Sequence, residues 1–172
     1  MPRIFALVIV GLLLLACDQA DSADDSPHTT KAAQNAGPLP ASGEIGRTIT
    51  VYKSATCGCC VKWADHLEEN GFRVRLHDIE ELGKIKRKFS VPADMRSCHT
   101  ATIGEYVIEG HVPASDIEEL LGRRPPQRLL AVPGMPLGSP GMEHPNGSMP
   151  YESLLVAKDG SVTVFKRHAP NP

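Results

Sequence analysis

The chain has 172 residues and a formal net charge of −2, length for one ordinary domain with its own core but not for two independent cores. No basic patch stands out among its 22% charged residues, which argues against nucleic acid as a partner. Aromatic residues make up 5%, beside 15 Gly and 15 Pro, the composition of a small core with long turns rather than of a large packed enzyme.

At the N-terminus Arg3 precedes an apolar run from Ile4 to Ala16 that is too short to span a bilayer, so residues 1–16 read as a signal peptide. The run ends Leu14-Leu15-Ala16-Cys17, which resembles the bacterial lipobox and makes Cys17 the expected lipidation site and first mature residue. Several acyl chains, at roughly 0.8 kcal/mol per buried methylene, would hold such a protein to a membrane. Asp18 resembles the residue that retains lipoproteins in the inner membrane of enteric bacteria, so the expected location is the periplasm, lipid-anchored, with the inner membrane favoured. The plainer reading is a secretory peptide with a chance cysteine. From Cys17 to Gly46 the chain has scarcely a bulky apolar side chain and reads as a flexible tether, with His28 a solvated histidine within it.

Residues 47–168 read as the folded domain. Thr48-Ile49-Thr50-Val51-Tyr52 alternates and is β-branched, as a strand is. The cysteine run Thr56-Cys57-Gly58-Cys59-Cys60 follows as a turn, and Cys59 to Asn70 carries Val61, Ala64 and Leu67 beside Trp63 at helical period, with Gly71 as the stop. Phe72 to Leu76 alternates as a second strand, Ile79 to Phe89 is a charged amphipathic helix, and Val91-Pro92 opens a loop to Cys98. Thr100 to Ile103 and Tyr106 to Ile108 flank Gly104-Glu105 as a hairpin, and Ala114 to Leu121, capped by Gly122, forms a third helix. After Pro125-Pro126 runs a long Pro, Gly and Met segment; then Leu154 to Ala157 and Val162 to Phe165 form a last hairpin. The order βαβ, α, ββ, α predicts an α/β domain with a thioredoxin-like core, to which the C-terminal loop and β-hairpin are added.

The chemistry lies in the cysteines. Three thiols within four residues exceed what one disulfide uses, and crowded thiolates repel unless a cation bridges them. A thiol at a helix N-terminus is acidified by unpaired backbone N–H groups, and the thiolate is the metal ligand. Cys57 and Cys60 can face one another, whereas Cys59 is rotated away from Cys60 in a helix, so several ions sharing thiolates collect these sulfurs better than one. Cu(I) suits such a site, being soft and content with few ligands. Cys98 supplies a fourth sulfur from the loop before the third strand, where thioredoxins keep a cis-proline and this chain has Ser97-Cys98-His99.

The segments Val-Tyr-Lys-Ser-Ala-Thr-Cys-Gly-Cys-Cys (51–60), Ser-Cys-His-Thr (97–100), Tyr-Val-Ile-Glu-Gly-His-Val-Pro-Ala (106–114) and Ala-Val-Pro-Gly-Met-Pro-Leu-Gly-Ser-Pro-Gly-Met-Glu (131–143) resemble the CopG-type copper-resistance family, formerly a domain of unknown function. The resemblance implies a thioredoxin-like periplasmic protein with a multinuclear copper cluster on Cys57, Cys59, Cys60 and Cys98, acting in sequestration, transfer or redox handling of copper. Its implied partners are copper ions, the membrane through the N-terminal lipid, and other periplasmic copper-handling proteins.

Secondary ligands come from Met and His. Met135, Met142 and Met149 recur every seven residues, but the intervening prolines exclude a helix. Met135 and Met142 could close over Cu(I) as a lid or fill gaps under a loop, with Met149 a weaker candidate. Met95 stands three residues before Cys98 and is a ligand or a packing residue. His99 is a candidate ligand, although strand neighbours point to opposite faces and would turn it from the metal that Cys98 touches. His111 is a candidate ligand, a helix cap or an orienting group. His66, His77 and His168 read as surface or packing residues, and His144 lies in the candidate lid.

Three other readings compete with copper binding. Cys57 and Cys60 form a Cys-x-x-Cys pair, as a thiol–disulfide oxidoreductase needs in an oxidising periplasm, but that leaves Cys59 and Cys98 idle. Two structural disulfides would have to pair the adjacent Cys59 and Cys60 awkwardly. Zinc accepts four cysteines, but usually as two Cys-x-x-Cys pairs. The chain therefore reads first as a metal-binding module rather than an enzyme.

Overall fold

A computed structural model describes residues 47–145 and 147–170. The expectations for the signal peptide, Cys17, Asp18, His28 and the tether lie outside the described residues.

Strand β1 (Thr48–Lys53) buries Ile49, Val51 and Lys53 and leaves the alternate residues half-buried, the period-two pattern its sequence predicts. Helix α1 (Gly58–Glu69) follows the cysteine turn. It buries Cys60, Trp63, Ala64 and Leu67, spaced as one helical face, while Val61 is exposed. The buried stripe thus begins at Cys60 rather than Val61, so this cysteine is also the first core residue of the helix. Gly71, at φ +79°, turns the chain into β2 (Arg73–Asp78), which runs parallel to β1 with Thr48 opposite Arg73.

Helix α2 (Leu82–Lys88) is shorter than its amphipathic pattern predicted, and a 3₁₀ turn (Ala93–Met95) leads to the Cys98 loop. Strands β3 (Thr100–Ile103) and β4 (Tyr106–Glu109) form the expected hairpin, with β3 antiparallel to β1. Helix α3 (Ala114–Arg123) runs through Gly122 and ends on Arg124 in the left-handed region at φ 48°, so Gly122 is helical rather than the cap.

The element order βαβ, α, ββ, α is present. A further strand that the sequence pattern does not predict, β5 (Leu129–Ala131), pairs parallel with β4 and antiparallel with β6 (Tyr151–Val156). That strand joins the final hairpin, β6 and β7 (Val162–His168), to the rest, giving one sheet in the order β2-β1-β3-β4-β5-β6-β7. Alternation sends Leu130 to one face and Leu129 and Ala131 to the other. Leu130 belongs to the larger core, in which Ile49, Val51, Ala101 and Ile108 meet Trp63 and Leu67 of α1 and Ile117 and Leu120 of α3. Leu129 and Ala131 join Val91, Met95 and Val156 in a second cluster.

Candidate metal centre

The chain leaves β1 at Lys53, whose ammonium binds Asp78 at 2.6 Å and the Ser54 carbonyl at 3.2 Å. Cys57 closes the turn through its amide to the Ser54 carbonyl at 3.0 Å and stands as the extended residue before α1. Cys59 and Cys60 lie in the helix's first turn. Cys98 approaches from the loop before β3, and the four sulfurs all lie within 4.8 Å of one another. Cys57 and Cys60 are joined as a disulfide, with Cys59 and Cys98 as free thiols. Cys59 Sγ is 3.6 Å from that of Cys57 and 4.0 Å from that of Cys98, and Cys60 Sγ is 3.5 Å from Cys98 Sγ. Cys59 is not turned out of the cluster, because Cys57 sits outside the helix in extended conformation and Cys98 arrives beside it.

Both candidate histidines of the inner site reach Cys98. His99 Nδ1 is 3.2 Å and His111 Nε2 is 3.0 Å from its sulfur. The expectation that strand alternation turns His99 away fails for a simple reason. Cys98 lies in the loop, two residues before β3 begins at Thr100, so the pleat does not yet govern it. The His99 ring is fully buried between Trp63, 4.2 Å away between centroids, and His111, 5.0 Å away edge-on. Its Nε2 has no hydrogen-bond partner among the described residues. His111 lies 2.7 Å through Nδ1 from the Pro140 carbonyl, which can only accept. Nδ1 therefore carries the proton, and Nε2 presents its lone pair toward Cys98.

The electrostatics favour neutral imidazoles. Burial holds His99 well below the usual histidine value and His111 below it, so both are available as ligands at neutral pH. The Cys98 thiol is pushed up to about 12 by burial, with the neighbouring Cys59 adding to the shift. A thiolate at that place needs a cation beside it, which is what a metal supplies.

The Pro, Gly and Met segment lies over the first turn of α1. Gly134 N–H donates to the Arg96 carbonyl at 3.1 Å, and Ser97 Oγ donates to the Gly134 carbonyl. Gly141, at φ +81°, packs so closely that a Cβ there would stand 2.7 Å from the Cys59 carbonyl oxygen and 2.8 Å from the Trp63 nitrogen. Met142 follows Gly141 and is half-buried, whereas Met135 and Met149 are 53% and 47% exposed. Met95 is buried among Val91, Leu129 and Ala131, a packing residue of the second cluster. His144 lies exposed in the same segment. Elsewhere His66 Nε2 accepts the Ala114 N–H at 3.1 Å and so caps α3, His77 stacks on Tyr52, and His168 binds the buried Asp116 at 2.8 Å.

Two groups beneath the site escaped the sequence reading. Glu109 is fully buried and pairs with Lys86 at 2.5 Å. A charged residue ending the apolar strand Tyr106–Glu109 was the only signal.

The donors form two sets that share one atom: four thiol sulfurs, and Cys98 with His99 and His111. Thiolate and imidazole together select soft or borderline transition metals over calcium or magnesium. A family model described as a protein of unknown function, DUF411, matches residues 95–142, which include Cys98, both histidines and the covering segment up to Met142. No curated protein matches the chain. Two solved structures, both described as copper resistance protein CopG, in forms 1 and 2, superpose with a TM-score of 0.67 at 41% identity. They cover 71% and 70% of this chain and 97% of their own length. Identity at that level over nearly the whole of those structures places the chain in the CopG family of copper resistance proteins.

Proposed function

We propose that the chain is a copper-binding protein that holds Cu(I) as cargo in a multinuclear thiolate cluster. Cys57, Cys59, Cys60 and Cys98 are the thiolate donors, with His111 and His99 as imidazole donors at the Cys98 end. The observation that carries this reading is the sharing of Cys98 Sγ between two donor sets. Six donor atoms exceed the coordination of one tetrahedral ion, and a sulfur common to both sets is placed to bridge two ions. Zinc fits the four sulfurs alone, but it leaves the imidazole set unexplained.

The disulfide between Cys57 and Cys60 removes two donors, so loading follows its reduction. The lipobox-like run at Cys17 supports a periplasmic, membrane-anchored site of action, and the family's copper-resistance description supports a role in resistance through sequestration or transfer. The test is anaerobic titration of the reduced protein, freed of signal peptide and lipid. It is expected to take up more than one Cu(I) per chain, and Cys59→Ser is expected to lower that number. Uptake of one ion, unaltered by the substitution, would refute the cluster.

A second reading rests on a specific geometry: Cys98 Sγ lies 3.5 Å from one sulfur of the Cys57–Cys60 disulfide, within reach for thiol–disulfide exchange. Turnover in an insulin-reduction assay by the metal-free protein would favour this oxidoreductase.

A further inference from the structure

We propose that the buried Lys86–Glu109 pair is the positioning device of the metal centre. It holds the turn that carries Cys98 at its working distance from the other three sulfurs. The inference rests on the copper-binding reading, and its effect is also read without metal.

Glu109 is the last residue of β4 and is fully buried, and Lys86 on α2 has a side chain only 7% exposed. One carboxylate oxygen, Oε1, accepts both the Lys86 ammonium at 2.5 Å and the backbone N–H of Ser97 at 2.7 Å. The other oxygen accepts the Thr100 hydroxyl at 2.7 Å, and Lys86 also donates to that hydroxyl at 3.1 Å. The carboxylate thus grips the chain on both sides of Cys98 and His99, at Ser97 and at Thr100. From above, Ser97 Oγ ties the same turn to Gly134 of the covering segment, and the Gly110 N–H holds the His99 carbonyl at 3.1 Å.

A buried carboxylate is costly unless its charge is paired and its lone pairs are filled, and here both conditions are met. The pair is weak evidence for stability as such, since apolar replacement of both partners is often neutral. What an apolar replacement cannot supply is the acceptor for the Ser97 N–H. Two consecutive donors, Cys98 and His99, hang from that turn. Outer groups of this kind orient ligands, and their loss typically lowers metal affinity about 10- to 100-fold.

The experiment compares two double variants of the full chain. Lys86→Met with Glu109→Gln keeps a carbonyl for Ser97 and an amide for Thr100; Lys86→Met with Glu109→Leu keeps the volume and removes both. In the reduced, metal-free proteins, Cys98 alkylation by iodoacetamide is expected to rise at least about tenfold in the Leu variant and to return toward the wild-type rate in the Gln variant. Cu(I) affinity against a chelating competitor is expected to fall by about tenfold or more in the Leu variant only. A folded Leu variant with wild-type alkylation and wild-type Cu(I) affinity would overturn the proposal. Should the Leu variant fail to fold, hydrogen exchange of the wild type decides the matter: strong protection of the Ser97 amide supports the grip, and exchange at the rate of an open loop overturns it. Failure of the wild type to bind Cu(I), with the alkylation difference present, would refute the copper reading alone.

Discussion

His111 and Pro140 meet at 2.7 Å through Nδ1 and the backbone carbonyl, and this contact points the other ring nitrogen at Cys98 from 3.0 Å. The covering segment therefore does more than lie over the cysteines, because its backbone sets the tautomer of the imidazole that faces Cys98. Replacing His111 with Phe keeps the ring volume and removes the donor. We expect Cu(I) affinity to fall about 10- to 100-fold, as measured by competition with a chromophoric chelator, with far-ultraviolet circular dichroism unchanged.

Gly141 is the point where the segment touches α1. A methyl group there would collide with the Cys59 carbonyl and the Trp63 nitrogen, and the backbone sits at φ +81°, which disfavours any side chain. Gly141→Ala is expected to cost about 1–3 kcal/mol in chemical denaturation, from overpacking and strain together. It is also expected to weaken Cu(I) binding by lifting Pro140 from His111. Gly147, also at positive φ but with open space around its Cβ position, is the control for strain alone.

His66 predicts a pH dependence of stability. Its Nε2 accepts the Ala114 N–H, so the folded state needs it neutral, and burial holds its pKa below the ordinary 6.5. On acidification the unfolded chain takes up this proton first. The stabilisation is therefore complete above pH 6.5 and declines as pH falls from there through the folded value. His99 and His111 are shifted the same way and add to the slope in the metal-free protein. His66→Leu is expected to cost about 0.5–2 kcal/mol near neutral pH, as loss of a helix cap does. It is also expected to flatten the fall in melting temperature between neutral and mildly acidic buffer without abolishing it.

Trp63 joins the core to the site: it is fully buried, donates through Nε1 to the Val112 carbonyl at 2.8 Å and packs at a tilt of 38° against His99. Trp63→Ala is expected to destabilise by about 3–5 kcal/mol, the range for emptying so large a buried volume. Denaturant unfolding checks this.

The strand, cysteine turn, helix sequence at 48–69 was legible because β-branched alternation and helical spacing are local signals. The sulfur cluster was legible because three thiols crowd into four residues at 57–60, more than one disulfide uses. Strand β5 was not, since three residues carry no period and Leu129–Ala131 becomes a strand only by lying between β4 and β6. The direction of His99 is not legible from strand alternation, because the pleat begins only at Thr100. The His66 cap on α3 and the Glu109 grip on Ser97 join residues 48 and 12 apart in the chain, and contacts of that kind follow from tertiary packing rather than local pattern.

X-ray absorption at the copper edge of the anaerobically loaded protein tests whether several Cu(I) ions share the four sulfurs. A shared-thiolate cluster gives nearest neighbours that are mainly sulfur with a minor nitrogen contribution, and a copper neighbour farther out from ions bridged by the same sulfurs. A spectrum of isolated ions with no copper neighbour, or a shell of nitrogen and oxygen alone, would contradict it.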